Sequence, residues 1–294
     1  MANENRNNKD TVFTDLFYSD KFAKRNLLSL YNALFGENLQ DESLIKQARL
    51  ENVLFQNMQN DISFLVKDRK IILGEHQSTI NQNMPLRSLM YIGREYEKIV
   101  NPDNRYARKL IKIPTPDFIT FYNGEEDLPV ESVLGLSDAF IDREAKPSLE
   151  LYVRIININH SKGHTILKRC SILNEYSEFV EETRKFKGDE LALEKAVKSC
   201  IKKGILEEYL KRKGSEVVNM LMVEYDYEKD IKVQRAEAEE IGEKKGKAKD
   251  RNILKTVRSF LKKKPNAKNY EIANACGCSE EEAKDAKEFL DSLL

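Results

Sequence analysis

The sequence lacks the long apolar runs that membrane proteins require. No apolar stretch in its 294 residues approaches the ~18 residues of a spanning helix. The opening residues MANENRNNKD contain no apolar core of a secretory signal, and the four cysteines are too scattered to suggest a disulfide framework. We therefore expect a cytoplasmic protein with no membrane partner.

The sequence also lacks an excess of either charge, with 49 Lys and Arg residues against 49 Asp and Glu residues. Tight non-specific coating of DNA depends on neutralising phosphates, so this balance argues against it but leaves room for a local basic cleft. Charged residues make up 33% of the chain and apolar residues 40%. That composition is typical of a soluble globular protein with charged helical surfaces.

The stretch from 60 to 87, NDISFLVKDRKIILGEHQSTINQNMPLR, carries the most specific pattern. Ile62, Phe64 and Val66 occupy every second position before the polar residues Lys67, Asp68 and Arg69, and Ile71, Leu73, Glu75 and Gln77 do so after them. Period-two alternation of β-branched and aromatic residues indicates strands, and the polar triplet indicates a turn. The stretch therefore predicts a β-hairpin followed by a helix.

A hairpin that turns at Asp68 would place Asp61 opposite Glu75, with Gln77 on the same face. Directly opposed carboxylates repel each other, and a hard cation such as Mg²⁺ removes that conflict because it binds carboxylate oxygens. The spacing predicts a metal centre held by Asp61 and Glu75, with Gln77 as a polar third group. The alternative is a surface hairpin whose carboxylates point into water.

These residues resemble a known nuclease family. Asp61, Glu75 and Gln77 resemble the PD-(D/E)XK nuclease signature with Gln in place of the usual Lys. More narrowly, GEHQSTINQNMPLRSLMYIGREYEKI at 74–99, ITFYNG at 119–124 and LSDAF at 136–140 are similar to the Rpn family of recombination-promoting nucleases and transposases. The resemblance covers about 15–185.

The resemblance implies a fold, an activity and a cofactor. The fold would be α/β, a restriction-endonuclease-like mixed sheet flanked by helices, and the activity would be Mg²⁺- or Mn²⁺-dependent DNA cleavage linked to recombination or mobile elements. Asp61 and Glu75 would hold the metal, and Gln77 would complete the catalytic set. An amide has no titratable proton near neutrality, so Gln77 can orient a water but cannot act as its base.

The helix that we expect to begin near Pro85 offers candidate phosphate contacts. Arg87, Tyr91 and Arg94 follow three- and four-residue steps and share one face, from which they could contact DNA phosphates; the alternative is a solvated face. The apolar side is predicted to consist of six residues: Leu86, Leu89, Met90, Tyr96, Ile99 and Val100.

Two further acidic residues are weaker candidates. Asp15 lies in the opening segment, which helps to build the active site in the resembled family, but a role as a turn or helix cap is equally compatible with its position. Glu51 lies in 47–58, predicted to be a short strand or its lead-in, and could reach the metal or remain a solvated surface glutamate.

The remaining patterns predict the domain organisation. We place a nuclease-like domain at 1–185, a helical extension at 186–228, a charged helical linker at 229–249 and a small helical bundle at 250–294. Within the first domain, strands are predicted at 110–123 and 149–158, joined by a long connection at 125–148. The helices after 165 could pack on the sheet or form a satellite bundle.

The last segment resembles a helix–turn–helix, with the turn at Gly277. Its final helix would begin at Glu280, Glu281 and Glu282, and phosphates would repel these acidic residues. We therefore favour protein contact, including a homo-oligomer formed through these helices, over DNA reading.

The function predicted for the whole chain is a divalent-metal-dependent DNA endonuclease. The alternative is a nuclease-like fold that binds DNA or assembles proteins without cleaving.

Overall fold

The computed structural model describes residues 11–48, 61–106, 108–142, 146–186 and 190–291. The chain divides into two compact units, Met1–Glu224 and Tyr225–Leu294. None of the helices in these described ranges is long and apolar enough to cross a membrane.

The first unit alternates helices and strands. In chain order the elements are α1 (Val12–Thr14), α2 (Ala23–Phe35), β1 (Ile45–Gln47), β2 (Ile62–Val66), β3 (Lys70–Gln77), α3 (Met84–Ile99), β4 (Thr115–Tyr122), β5 (Glu131–Gly135), β6 (Tyr152–Asn157), α4 (Thr165–Arg169), α5 (Ser171–Arg184), α6 (Glu190–Lys203) and α7 (Glu207–Leu261). The helix α7 continues into the second unit, where α8 (Asn269–Cys276) and α9 (Glu280–Asp291) follow.

The strands form one mixed six-stranded sheet in the order β1-β2-β3-β4-β6-β5. Strands β3, β4 and β6 run parallel, and the other neighbouring pairs are antiparallel. Helices flank this sheet and further helices follow it, so the predicted α/β class with a mixed sheet and a helical C-terminal extension is confirmed at that level.

The predicted hairpin is β2 and β3, with the predicted register. Lys67 and Asp68 adopt left-handed φ values of 52° and 54°, which gives a turn tight enough to match the twist of the two strands. Val66 pairs with Lys70 and Phe64 pairs with Ile72. A slip of one residue would have moved every side chain to the other face, so this register decides where the carboxylates lie.

Each face of the sheet has its own apolar core. Ile62, Phe64 and Ile72 face a larger core with residues of α1, α2, α5, α6 and α7. Ile71 and Leu73 alternate with that set and face a smaller core with residues of α3, β4 and β6. The odd-numbered residues of β3, which include Glu75 and Gln77, therefore lie on the α3 side of the sheet.

The helix α3 buries only part of its predicted apolar side, since Leu89 and Tyr96 pack against the smaller core. Leu86 and Met90, assigned to the apolar side, are 40% and 48% exposed, whereas Ser88, Tyr91 and Glu95 are buried. The buried side of α3 thus mixes polar residues with the apolar Met84 and Ile92. Hydrophobicity alone therefore misplaced Leu86 and Met90.

Two other predictions differ from the structure. The connection predicted at 125–148 contains strand β5, whose signal is weak because it is an edge strand with exposed residues at 131–133. The boundary predicted at 185 does not separate two cores, because Leu193, Val197 and Cys200 of α6 belong to the same core as the sheet. The helices α4, α5 and α6 and the first part of α7 thus pack with the sheet.

The second unit has its own small core. Its buried residues come from the end of α7, from α8 and α9, and from Ala267 between the helices: Val257, Ala267, Ile272, Ala273, Ala283 and Ala286. Gly277 ends α8 with a left-handed φ of 67°. Ser279 and Glu282 exchange side-chain-to-backbone hydrogen bonds at the start of α9, which satisfies amides that the helix leaves open.

Candidate metal centre

The β2–β3 hairpin brings Asp61 and Glu75 together. Ile62 pairs with Gly74, and one further step in the same register places Asp61 opposite Glu75 on the α3 side. The Oδ2 atom of Asp61 accepts a hydrogen bond of 2.6 Å from the backbone N–H of His76, which ties the Asp61 side chain to the end of β3. The two carboxylates therefore meet on one face, as the hairpin pattern predicts.

His76, which lies between Glu75 and Gln77, anchors β3 from the opposite face of the sheet. The His76 ring stacks on Phe13 at a centroid distance of 4.9 Å, and its Nε2 lies 3.1 Å from the Tyr176 hydroxyl. Burial, together with the charge of Arg184, lowers the pKa of His76 to about 3. His76 is thus neutral and has a structural role. It fixes the part of β3 that carries Glu75 and whose backbone N–H donates to Asp61.

Glu75 is a carboxylate in an unfavourable position. It is 7% exposed, and burial followed by the charge of Asp61 raises its pKa well above the usual range, with Arg87 and the Tyr91 hydroxyl acting in the opposite direction. Arg87 Nη2 lies 3.4 Å from Glu75 Oε2. The other oxygen, Oε1, is buried and has no hydrogen-bond partner within the described part of the chain.

The three predicted phosphate contacts, Arg87, Tyr91 and Arg94, do not share one exposed face of α3 in the structure. Tyr91 is only 1% exposed, and its hydroxyl accepts a hydrogen bond of 2.8 Å from Arg87 Nη2. Arg94 is exposed on another side of α3. Of these three residues, Arg87 is the one that lies beside the carboxylates. The Tyr91 hydroxyl supports its guanidinium.

Gln77 makes contacts away from the carboxylates. Its amide Nε2 lies 2.9 Å from Met84 Sδ, and its Oε1 accepts a hydrogen bond of 3.2 Å from the backbone N–H of Asn81. Both partners belong to the segment that leads into or begins α3. The side chain therefore fixes where α3 starts over the sheet.

Gly124 permits a close approach at the same end of the sheet. A Cβ atom on Gly124 would lie 1.9 Å from the backbone oxygen of Ser78, so no side chain fits between the ends of β3 and β4. This is a physical reason for glycine in the ITFYNG segment.

The two weaker candidates have different outcomes. Asp15 is buried, and its carboxylate accepts hydrogen bonds from the Tyr209 hydroxyl at 2.7 Å and from Lys213 Nζ at 2.9 and 3.0 Å. These contacts tie the opening segment to α7 and give Asp15 a structural role. Glu51 lies outside the described residues.

The structure adds two hydroxyl groups that the pattern analysis did not single out. Ser63 and Thr120 lie on the same face as Glu75, and Ser63 Oγ and Thr120 Oγ1 are buried without a hydrogen-bond partner among the described residues. Register pairs Thr120 directly with Glu75. The available signal was a polar residue where strand alternation calls for an apolar one, since Phe118 and Tyr122 flank Thr120 on that face.

The donor set fits one class of metal. Within the described residues, no three His, Cys, Asp or Glu side chains come together as a metal-binding group. Mg²⁺ and Mn²⁺ accept one or two carboxylates and complete their shell with water and phosphate oxygens. Asp61 and Glu75, with neighbouring hydroxyls, match that requirement.

Comparisons of this chain with protein-family models, with curated proteins and with solved structures found no match. The resemblance to the Rpn family therefore depends on the residues quoted above.

The Arg87–Glu75 contact leads to a prediction about stability. Arg87→Gln leaves the buried carboxylate without its cation, so we expect the free energy of unfolding of the metal-free protein to fall by about 1–2 kcal/mol, less than for a fully buried pair. Urea unfolding at pH 8 with EDTA measures this free energy of unfolding. Arg94→Gln, on the exposed side of the same helix, is the matched control, and adding Glu75→Gln to Arg87→Gln should restore most of the loss. Equal effects of Arg87→Gln and Arg94→Gln would contradict the assignment.

Proposed function

We propose that this chain is a divalent-metal-dependent DNA endonuclease of the PD-(D/E)XK kind, as the Rpn-like residues imply. The observation that supports it most is the buried Glu75, placed opposite Asp61 with one oxygen unpartnered among the described residues. Such an arrangement lowers stability unless a cation is shared. Proteins retain local conflicts of this kind mainly at functional sites.

In this proposal each side chain has a defined role. Asp61 and Glu75 hold Mg²⁺ or Mn²⁺, which when bound lowers the pKa of a water and stabilises charge on the scissile phosphate. Arg87 lies beside Glu75, and its positive charge can attract phosphate oxygens. Tyr91 holds the guanidinium through the hydrogen bond that its hydroxyl accepts from Arg87 Nη2. Burial and the charge of Glu75 raise the pKa of Tyr91 to about 12, so this hydroxyl stays protonated.

DNA as the partner, a link to recombination or mobile elements, and a cytoplasmic location belong to the same proposal. They rest on the resemblance and on the composition.

The direct test is cleavage of supercoiled plasmid DNA with Mg²⁺ or Mn²⁺. We expect nicking by the unchanged chain and a loss of at least about 100-fold for Asp61→Asn and Glu75→Gln, because each removes a proposed metal ligand. Asp68→Asn is the matched control, since Asp68 is an exposed carboxylate in the turn of the same hairpin. Equal nicking by all four proteins would mean that the activity does not come from this site.

One observation favours a silent, DNA-binding version of the same fold. The Gln77 amide is engaged with Met84 and Asn81, so it does not point a free donor at the carboxylates. A gel-shift assay in EDTA separates the two functions. Retention of DNA without cleavage in Mn²⁺, unaltered by Glu75→Gln, would support the binding protein over the nuclease.

We propose that the second unit contacts protein, including another copy of this chain. The exposed side chains of α9 include Glu280, Glu281, Asp285 and Glu288 against one exposed lysine, Lys284. Phosphates would repel this surface, so α9 is poorly suited to the major groove.

Solution mass tests this second proposal. We expect the unchanged chain to scatter light as an oligomer, and a chain that lacks residues 250–294 to scatter as a monomer. Monomeric mass for both proteins, at concentrations up to about 100 µM, would contradict self-association.

A further inference from the structure

Thr120 carries a buried hydroxyl that forms no hydrogen bond with any described residue. Its side chain is 0% exposed, and Oγ1 has no partner there. An unsatisfied buried hydroxyl destabilises a protein by about 1–3 kcal/mol. Valine has nearly the same shape, suits a strand better and carries no such penalty. The hydroxyl therefore calls for a ligand.

The sheet places this hydroxyl next to Glu75. Strands β3 and β4 pair in parallel with Glu75 beside Thr120, and neighbouring strands lie about 4.8 Å apart with paired side chains on the same face. Asp61 flanks Glu75 from β2 on the other side. Asp61, Glu75 and Thr120 thus form a row across three adjacent strands.

Unpartnered groups concentrate around this row. Among the described residues, five buried side-chain N or O atoms lack a hydrogen-bond partner. Four of them belong to Glu75, to Arg87 beside it, or to the hydroxyl residues Ser63 and Thr120 on the same face. A carboxylate acceptor and hydroxyl donors that remain unsatisfied on one face of the sheet indicate that a further group lies among them when the site is in use.

We infer that the hydroxyls of Thr120 and Ser63 are positioning groups of the proposed metal centre, and that they hydrogen-bond the oxygen ligands of the cation held by Asp61 and Glu75. This inference rests on the proposed function. In this inference Thr120 takes over the role of orienting a water that was expected for Gln77. The Gln77 amide instead contacts the segment at the start of α3. Hydrogen-bonding groups around a metal's ligands typically change its affinity 10–100-fold.

A matched pair of variants of the full chain tests the inference. Thr120→Val removes the hydroxyl and keeps the shape, whereas Thr120→Ser keeps the hydroxyl. Mn²⁺ binding is measured without DNA by electron paramagnetic resonance, and Tm is measured in EDTA. We expect Thr120→Val to weaken Mn²⁺ binding by about 10-fold or more and to raise the metal-free Tm by about 2–4 °C. Thr120→Ser should bind within about twofold of the unchanged chain.

If the Thr120 hydroxyl has only a structural role, Thr120→Val does not weaken Mn²⁺ binding. Unchanged Mn²⁺ affinity in Thr120→Val, while Glu75→Gln abolishes binding, would overturn the inference and leave the proposed metal centre intact. Absence of Mn²⁺ binding by the unchanged chain would instead remove the metal centre itself.

Ser63→Ala provides the second route if Thr120→Val does not fold. Ser63 is 1% exposed, and alanine removes only its unpartnered hydroxyl. We expect weaker Mn²⁺ binding with no loss of Tm. An unchanged Mn²⁺ affinity in a folded Ser63→Ala variant would overturn the role of this hydroxyl.

Discussion

The site is organised around two carboxylates that repel each other and that the hairpin register nevertheless forces together. Asp61 and Glu75 meet because β2 and β3 turn at Lys67 and Asp68, and no shift by one residue keeps Phe64 and Ile72 in the core. Arg87 offsets part of the repulsion from above. The offset is incomplete, since the pKa of Glu75 remains raised by burial and by Asp61; in the proposed function a shared cation would complete it.

The surrounding structure keeps this arrangement from relaxing. The ring of His76 is locked between Phe13 and Tyr176 on the far side of the sheet, while its backbone N–H binds Asp61. Gln77 fixes the start of α3, and α3 in turn brings Arg87 and Tyr91 over Glu75. A site whose parts are held in this way is preorganised, so little reorganisation is needed when a ligand arrives.

Local features were predictable from the sequence, and features set by distant pairing were not. The hairpin and its register follow from alternation around a three-residue polar turn, which is local information. The row that adds Thr120 to Asp61 and Glu75 arises from the parallel pairing of β3 with β4, and those strands lie about forty residues apart in the chain. No local pattern encodes that pairing.

The orientation of α3 shows a second limit. Apolar periodicity placed Leu86 and Met90 inward, yet the helix turns Tyr91 and Ser88 to the sheet. Met84 and Ile92 share that buried side, so the side of α3 that faces the sheet mixes polar and apolar residues. Sequence patterns that assume an apolar core therefore fail next to a polar site.

The proposed function depends on whether Asp61 and Glu75 share one cation. The most direct measurement is a crystal structure with saturating Mn²⁺, in which anomalous scattering locates the metal independently of the protein density. The account predicts an anomalous peak within coordination distance of both carboxylates. A well-ordered site with Asp61 and Glu75 in place and no peak between them would contradict it.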